Sequence, residues 1–172
     1  DYVRDLDIDE AIASVSFTSD GVAYTREFFA SYPDEVLVTR LTADEPGALS
    51  LTVSQTIPSG RGNAVRTRDG ARLTVAGNLN DNQMRFESQL HVTADGGDVG
   101  GTSDAVTVTD ADAVTIVLGA GTDYADEYPE YRGVDPHERV TAVVDAAAAK
   151  SYDELRADHV ADYTELFGRM SL

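Results

Sequence analysis

The residues best suited to chemistry lie between positions 121 and 140, in the run GTDYADEYPEYRGVDPHERV. Three of the eight tyrosines, Tyr124, Tyr128 and Tyr131, fall within eight positions of this run. The same run carries most of the charge of the region, in Asp123, Asp126, Glu127, Glu130, Asp135, Glu138, Arg132, Arg139 and His137. Paired carboxylates are the acid and the base or nucleophile of glycoside hydrolysis. The run is therefore either an active site, the edge of a site built mainly by other residues, or an ordered corner.

A catalytic pair inside this one run is the weakest of these interpretations. The chain has 31 aspartates and glutamates, so two carboxylates that are close in sequence carry little weight. Catalytic carboxyls must be held at a fixed separation, and a loop without a second supporting segment does not hold them so. We assign no catalytic residue. The structural interpretation is that the tyrosines pack as a corner, Pro129 stiffens it and Arg132 pairs with a nearby acid.

No other segment predicts a metal, cofactor or nucleophile site. The three histidines do not have metal-ligand spacing. His91 is expected at a surface or edge strand position, His137 in a local structural contact at a helix start, and His159 as a packing residue. The turn aspartates could hold calcium, but their turns lack the alternating oxygen ligands with a downstream glutamate. These aspartates are Asp95, Asp98, Asp110 and Asp112.

Length and charge bound the class of protein. The 172 residues suffice for one domain with a sizeable core, and the net charge of −18, with Lys150 as the single lysine, repels nucleic acid and anionic membranes. The chain has no cysteine and no apolar run long enough to span a bilayer. Because it opens on DYVRDLDIDEA without Met, we expect a piece of a longer protein.

The first two thirds of the chain alternate apolar and polar residues with the period of β-strands. Turn residues every 8 to 12 positions separate about eight or nine predicted strands, which is typical of an antiparallel β-sandwich. We read residues 56–70 as a long loop. The predicted strands are 10–18, 22–30, 35–43, 48–55, 72–77, 84–94 and two within 105–121.

Helices are predicted only after residue 134. Asp135-Pro136-His137-Glu138 and Ser151-Tyr152-Asp153-Glu154 both have the pattern of a capping box. The first helix should run to about residue 149, and Gly168 should stop the second. The second helix carries an apolar stripe along one face, at helical spacing. We predict that this stripe packs on the sandwich or on a second chain, with Leu155, Tyr163 and Leu166 as anchors. The stripe consists of Tyr152, Leu155, His159, Tyr163, Leu166 and Met170.

Three runs carry a resemblance to a known family. They are YTREFFASYPD at 24–34, GTDY with YPEYRG at 121–133, and SYDEL with HVADY and LFGR at 151–169. In this order they resemble the amino-terminal β-domain of glycoside hydrolase family 95, the inverting α-L-fucosidases that release α-1,2-linked fucose. The resemblance covers nearly the whole chain, apart from the nondescript stretches 56–70 and 95–104.

The resemblance implies a galactose-mutarotase-like supersandwich over residues 1–133 and two linker helices over 134–172. An (α/α)6 barrel would follow, and in that family it holds the catalytic residues. Neither the barrel motifs nor the family's opening segment occurs in this sequence. We therefore expect a non-catalytic domain that supports the barrel and shapes its cleft. The alternatives are a carbohydrate-binding module, disfavoured by the lack of tryptophan, and a purely structural sandwich.

The resemblance also gives the tyrosine-rich run a functional interpretation, in which it points at the barrel and lines one rim of the fucoside cleft. The candidate rim residues are Thr122, Asp123, Tyr124, Tyr128, Tyr131 and Arg132. The implied partners are the chain's own barrel and a fucosylated glycan, and we expect no cofactor. An edge left unpaired by missing strands would invite a homodimer. An extracellular or cell-surface location is favoured over a cytoplasmic one, in a bacterial-type enzyme.

Overall fold

The computed structural model describes residues 1–61 and 63–169 as three layers. An eight-stranded antiparallel sheet of order β1-β2-β3-β4-β11-β8-β7-β6 lies in the middle, and a three-stranded sheet of order β5-β10-β9 covers one face. Two helices cover the other face. The elements are β1 (Tyr2–Asp7), β2 (Ile12–Ser19), β3 (Val22–Ser31), β4 (Val36–Ala43), β5 (Leu49–Ser54), β6 (Val65–Asp69), β7 (Arg72–Asn78), β8 (Arg85–Asp95), β9 (Asp98–Thr102), β10 (Ala105–Ala111), β11 (Ala113–Thr122), α1 (His137–Ala148) and α2 (Tyr152–Phe167).

The predicted antiparallel sandwich with helices after residue 134 is confirmed. The central strand β11 shows why its side chains could be assigned to two faces. Val114 faces the core under the small sheet, whereas Val117 faces the core under the helices. Successive strand residues point to opposite faces of a sheet, so one strand serves both cores. The core under the small sheet contains Leu49, Leu73, Leu90, Val92, Val106, Val108, Ala111 and Val114.

The core under the helices fastens α1 and α2 to the sheet. Val140, Val144 and Ala147 of α1 are buried and recur at helical spacing. They share a cluster with Val38 of β4, which is 1% exposed, and with Leu155 of α2. Because helices and sheet share this core, the helices are packed parts of the domain. The boundary at residues 133 and 134 stays a prediction.

The strands that the sequence did not predict are all edge strands. β1 and β6 end the large sheet and β9 ends the small one. Every residue of β1 is exposed, and β6 carries arginines where buried apolar residues would be expected. Edge strands bury little and are often charged, so alternation gives a weak signal there. β9 reads as loop because its hairpin is rich in glycine; a Cβ at Gly97 would lie 2.2 Å from the carbonyl oxygen of Thr109.

The first capping box was predicted wrongly. α1 begins at His137, and its N-cap is Pro136 without a side-chain hydrogen bond. This start places Glu138 at the second helical position, one residue short of the position from which the reciprocal bond is made. The Asp135 carboxylate instead accepts from the backbone N–H of His137 at 3.0 Å, and this bond lowers the pKa of Asp135.

The second capping box is confirmed, but the stripe of α2 is buried only in part. Ser151 and Glu154 exchange both reciprocal bonds, and Gly168 is the C-cap. Leu155 is fully buried, whereas Leu166 is 62% exposed, so Leu166 is not an anchor. The Tyr163 hydroxyl donates to the carbonyl of Ile8, just after edge strand β1. Met170 lies outside the described residues.

No helix in the described part of the chain is long and apolar enough to cross a bilayer.

Candidate functional site

The tyrosine-rich run connects the end of β11 to the start of α1. Thr122 is the last residue of β11 and pairs with Phe86 of β8. The ladder extends one residue further, since the backbone N–H of Asp123 donates to the carbonyl of Arg85 at 3.2 Å. The connecting segment, residues 123–136, thus starts from the centre of the large sheet and ends at a packed helix. We call it the β11–α1 loop.

Asp123 fixes the shape of this loop from within. It is 7% exposed, and its carboxylate accepts from the backbone N–H of Arg85 at 3.0 Å. Its carbonyl accepts from the N–H of Gly133 at 2.6 Å, which closes the loop on itself. The Asp123 carboxylate therefore faces the protein. Among the candidate rim residues, Asp123 is the least accessible to a ligand.

Arg132 ties the loop to the turn before β8. One guanidinium nitrogen donates to the carbonyl of Asn82 at 2.7 Å and another to the carbonyl of Tyr131 at 3.0 Å. Its Nε lies 3.8 Å from the Asp123 carboxylate. The expected pairing of Arg132 with a nearby acid is present, and the acid is the buried one.

Tyr124, Tyr128 and Tyr131 form one exposed aromatic surface, which we call the tyrosine platform. The rings of Tyr124 and Tyr131 are parallel with centroids 6.4 Å apart, and Tyr128 meets Tyr131 edge-on at 6.2 Å. Such pairs attract one another by about 0.5 to 1.5 kcal/mol beyond their area burial. Their exposures of 55%, 84% and 40% leave much of the ring surface to solvent. The platform is preorganised yet open.

The exposed acids around the platform are not arranged as a catalytic pair. Asp126, Glu127 and Glu130 are all exposed. Within the described residues, their side chains make no hydrogen bond or ion pair that would fix their positions. An aromatic surface bordered by exposed acids can contact a ligand, but it does not hold two carboxyls at the separation that hydrolysis needs.

Sequence reasoning missed the buried carboxylate behind the loop. Glu87 of β8 is 5% exposed and lies 2.9 Å from Nδ1 of His137. Gln89 donates to the same carboxylate at 2.5 Å and to the hydroxyl of Thr141 at 2.7 Å. Glu87 and Gln89 are two residues apart on β8, so their side chains point to the same buried face of the sheet. This spacing was the signal that the sequence offered. A cavity of about 370 Å³ beside this group is lined by Glu87, Arg85 and Asp135, among others.

Two of the histidines have structural contacts. His137 contacts Glu87, in agreement with a local structural position. His159 stacks on Phe29 at 4.7 Å and is buried, as a packing residue would be. His91, expected at a surface or edge strand position, is instead half-buried on an inner strand: β8 lies between β11 and β7, and burial of the His91 ring lowers its pKa.

Two of the turn aspartates form short bonds to protein groups. Asp112 accepts from the backbone N–H of Gly47 at 2.7 Å, and Asp95 pairs with Arg40 at 2.7 Å. Over residues 1–61 and 63–169, no three histidine or carboxylate side chains are grouped as metal ligands would be.

We expect Asp123→Ala to destabilise the domain by about 1 to 3 kcal/mol, because it leaves the backbone N–H of Arg85 without its carboxylate acceptor and removes the ion-pair partner of Arg132. Urea denaturation measures this change. Asp126→Ala, an exposed acid three residues along the same loop, is the matched control and should change stability by less than about 0.5 kcal/mol. Equal effects of the two substitutions would show that Asp123 does not hold the loop.

The fold is that of an antiparallel β-sandwich domain with two helices on one face. A solved structure described as a putative kojibiose phosphorylase from human microbiome is similar to it with a TM-score of 0.65. The match covers 97% of this chain and 25% of that chain at 10% identity, so it is evidence for the fold alone. The chain belongs to the glycosyl hydrolase family 65 N-terminal domain family, whose model matches residues 1–127.

Among known proteins, the chain is similar in sequence to α-fucosidases. Alpha-L-fucosidase 2 of Arabidopsis thaliana is 30% identical over 99% of this chain, and Probable alpha-fucosidase A of Aspergillus oryzae is 27% identical over all of it. The chain spans only 23% and 25% of their lengths. The resemblance to the amino-terminal domain of α-L-fucosidases is thereby confirmed. The matching family model carries the number 65, and none of these descriptions names family 95.

Proposed function

We propose that this chain is the non-catalytic N-terminal β-domain of a longer α-L-fucosidase-like glycoside hydrolase. It supports the catalytic domain, an (α/α)6 barrel in the related family, and shapes one side of the substrate cleft. The observation that carries the proposal is the similarity of the whole chain to α-fucosidases of which it spans about a quarter. The substrate class that follows is a fucosylated glycan.

Within this proposal, the β11–α1 loop is the part of the domain that reaches the substrate. The tyrosine platform offers apolar ring faces and hydroxyl tips, a combination suited to the alternating C–H and O–H groups of a sugar. Asp123 and Arg132 hold the loop from inside, so the platform can contact a ligand with little ordering cost. The loop itself supplies contact and orientation rather than acid or base.

A carbohydrate-binding module is the second candidate, and the exposure of the tyrosine platform is the observation that favours it. Titration of the isolated domain with fucosylated oligosaccharides separates the two. A binding module would saturate on its own, whereas a cleft rim needs the second wall that the catalytic domain supplies.

The proposed homodimer would form along β1. This strand ends the large sheet and exposes Tyr2, Val3 and Leu6. Arg4, Asp5 and Asp7 also lie on it, and charges on an edge strand oppose pairing with a second copy. Sedimentation equilibrium tests the dimer: a single species at the mass of one chain would exclude it.

We expect the purified 172-residue chain to hydrolyse neither an aryl α-L-fucoside nor a 2′-linked fucosyl oligosaccharide, because the exposed acids of the β11–α1 loop do not form a supported pair. The longer protein encoded by the same gene should hydrolyse at least one of them. Turnover by the isolated chain would contradict this expectation and place catalysis in this domain. If that turnover survived Glu87→Gln and Asp123→Asn, the catalytic carboxylates would be others than these two. Inactivity of the longer protein would contradict the assignment to α-L-fucosidases.

A further inference from the structure

A second cleft lies between the large sheet and the connection from α1 to α2. Its volume is about 230 Å³. The sheet contributes Arg40, Thr93, Asp95 and Thr115, and the helix connection contributes residues around Tyr152. Thr115 is seven residues before Thr122 on β11, so the cleft and the β11–α1 loop are separated by about 24 Å along the strand.

Arg40 is the organising residue of this cleft. Its guanidinium donates to the hydroxyl of Thr115 at 2.6 Å and to the carboxylate of Asp95 at 2.7 Å. It lies over the ring of Tyr152 at 5.3 Å, and the Tyr152 hydroxyl is held by Glu27 at 2.8 Å. The guanidinium is therefore fixed in place at the floor of the cleft, with its side chain 19% exposed.

Arg40 keeps hydrogen-bonding capacity for a ligand. A guanidinium has five N–H donors. The bond to Thr115 uses one N–H of one terminal nitrogen, and the bond to Asp95 uses one N–H of the other. The remaining donors have no partner among the described residues. Thr93, which is exposed beside them, likewise has no partner for its hydroxyl in the described part of the chain. Fixed, unsatisfied donors in a concave site are what binds a small polar molecule.

The charges of the cleft select the class of ligand. Arg40 and Lys150 stand in the lining with Asp95 and Asp153, so the positive and negative side chains balance. Lys150 is itself bonded to Asp34 and Asp158, which raises its pKa and keeps it charged and engaged. The net charge of −18 repels anions from the surface as a whole. Hydroxyl groups both donate and accept, so a neutral polyol matches this mixed lining.

We propose that this cleft, centred on Arg40 and called here the Arg40 cleft, binds a neutral polyol the size of one monosaccharide. The volume is below the 300 Å³ or more that is typical of sites for larger ligands. The Arg40 donors and the Thr93 hydroxyl bind ligand oxygens, and the Asp95 and Asp153 carboxylates accept from ligand hydroxyls. The proposal rests on the cleft alone and does not depend on the activity proposed above.

Titration of the ¹⁵N-labelled chain with D-galactose, followed by amide chemical shifts, tests the proposal. We expect saturable shifts at Arg40, Thr93, Thr115 and residues 151–153, with a dissociation constant in the millimolar range, roughly 1 to 30 mM. D-galacturonate, which differs by one carboxylate, is the matched probe for charge and should bind at least about threefold more weakly, given the net charge of −18, which repels anions from the surface as a whole.

Two variants address the residues. Arg40→Met should weaken galactose binding by about tenfold or more, because it removes charge-assisted hydrogen bonds. Since Arg40 also braces the helix connection, Thr93→Val gives a second test at an exposed position; it should weaken binding by about two- to fivefold and leave the rest of the spectrum unchanged. Val99→Ala, at a 39% exposed position on edge strand β9 of the small sheet, should leave the binding unchanged.

Three results would overturn the proposal. The first is the absence of saturable shifts up to about 100 mM sugar, a concentration at which only negligible affinity escapes detection. The second is a set of shifts confined to the tyrosine platform, which would support the rim proposal and not this cleft. The third is tighter binding of galacturonate than of galactose, which would make the cleft an anion site.

Discussion

Leu155→Ala should lower the free energy of unfolding by about 2 to 5 kcal/mol, the largest loss of stability that we expect from one truncation in α2. Leu155 is fully buried where α2 meets the large sheet. It belongs to the same core as Val38, Val140 and Val144, so its removal leaves a cavity that neither the sheet nor α1 can easily fill. Urea denaturation of the purified chain measures the effect.

Leu166→Ala is the matched control, since it makes the same chemical change on the same helix. Leu166 is 62% exposed, and its truncation should change stability by less than about 0.5 kcal/mol. A small effect at Leu155 would mean that α2 does not pack on the sheet as described. A large effect at Leu166 in the isolated chain would mean that a second copy covers the end of the helix.

The sequence predicted the central strands well because the large sheet is buried on both faces at its middle. Val114 and Val117 are both buried, so the alternation of β11 runs between two cores. The edges were missed for the opposite reason: β1 buries no side chain, and its sequence carries no contrast between two faces. Alternation of apolar and polar residues arises because one face of a strand is buried, and an edge strand buries little of either face.

The β11–α1 loop was located from sequence, but its internal structure was not. Aromatic and charged residue types identified the segment. They could not show that Asp123 faces inward or that Arg132 reaches the carbonyl of Asn82, because these contacts depend on the turn before β8, some 50 residues away. They also could not show Glu87, whose partner His137 belongs to another element.

Burial also changes which residue tests the proposed rim. Asp123 was a candidate for substrate contact, but its carboxylate faces the protein, so its truncation mixes folding with binding. Tyr128 does not have this problem, because it is 84% exposed and touches the rest of the domain through an edge contact with Tyr131.

The measurement that tests the central claim most directly is the kinetics of Tyr128→Ala in the longer protein with a 2′-linked fucosyl oligosaccharide. If the tyrosine platform lines the cleft, kcat/KM should fall by roughly 5- to 30-fold, or about 1 to 2 kcal/mol of lost transition-state binding. Stability should change by less than about 1 kcal/mol. Tyr32→Ala, which removes an 81% exposed ring from the turn after β3, is the control and should leave kcat/KM unchanged. Unchanged kinetics for Tyr128→Ala, or an equal loss for Tyr32→Ala, would contradict the placement of this loop at the substrate.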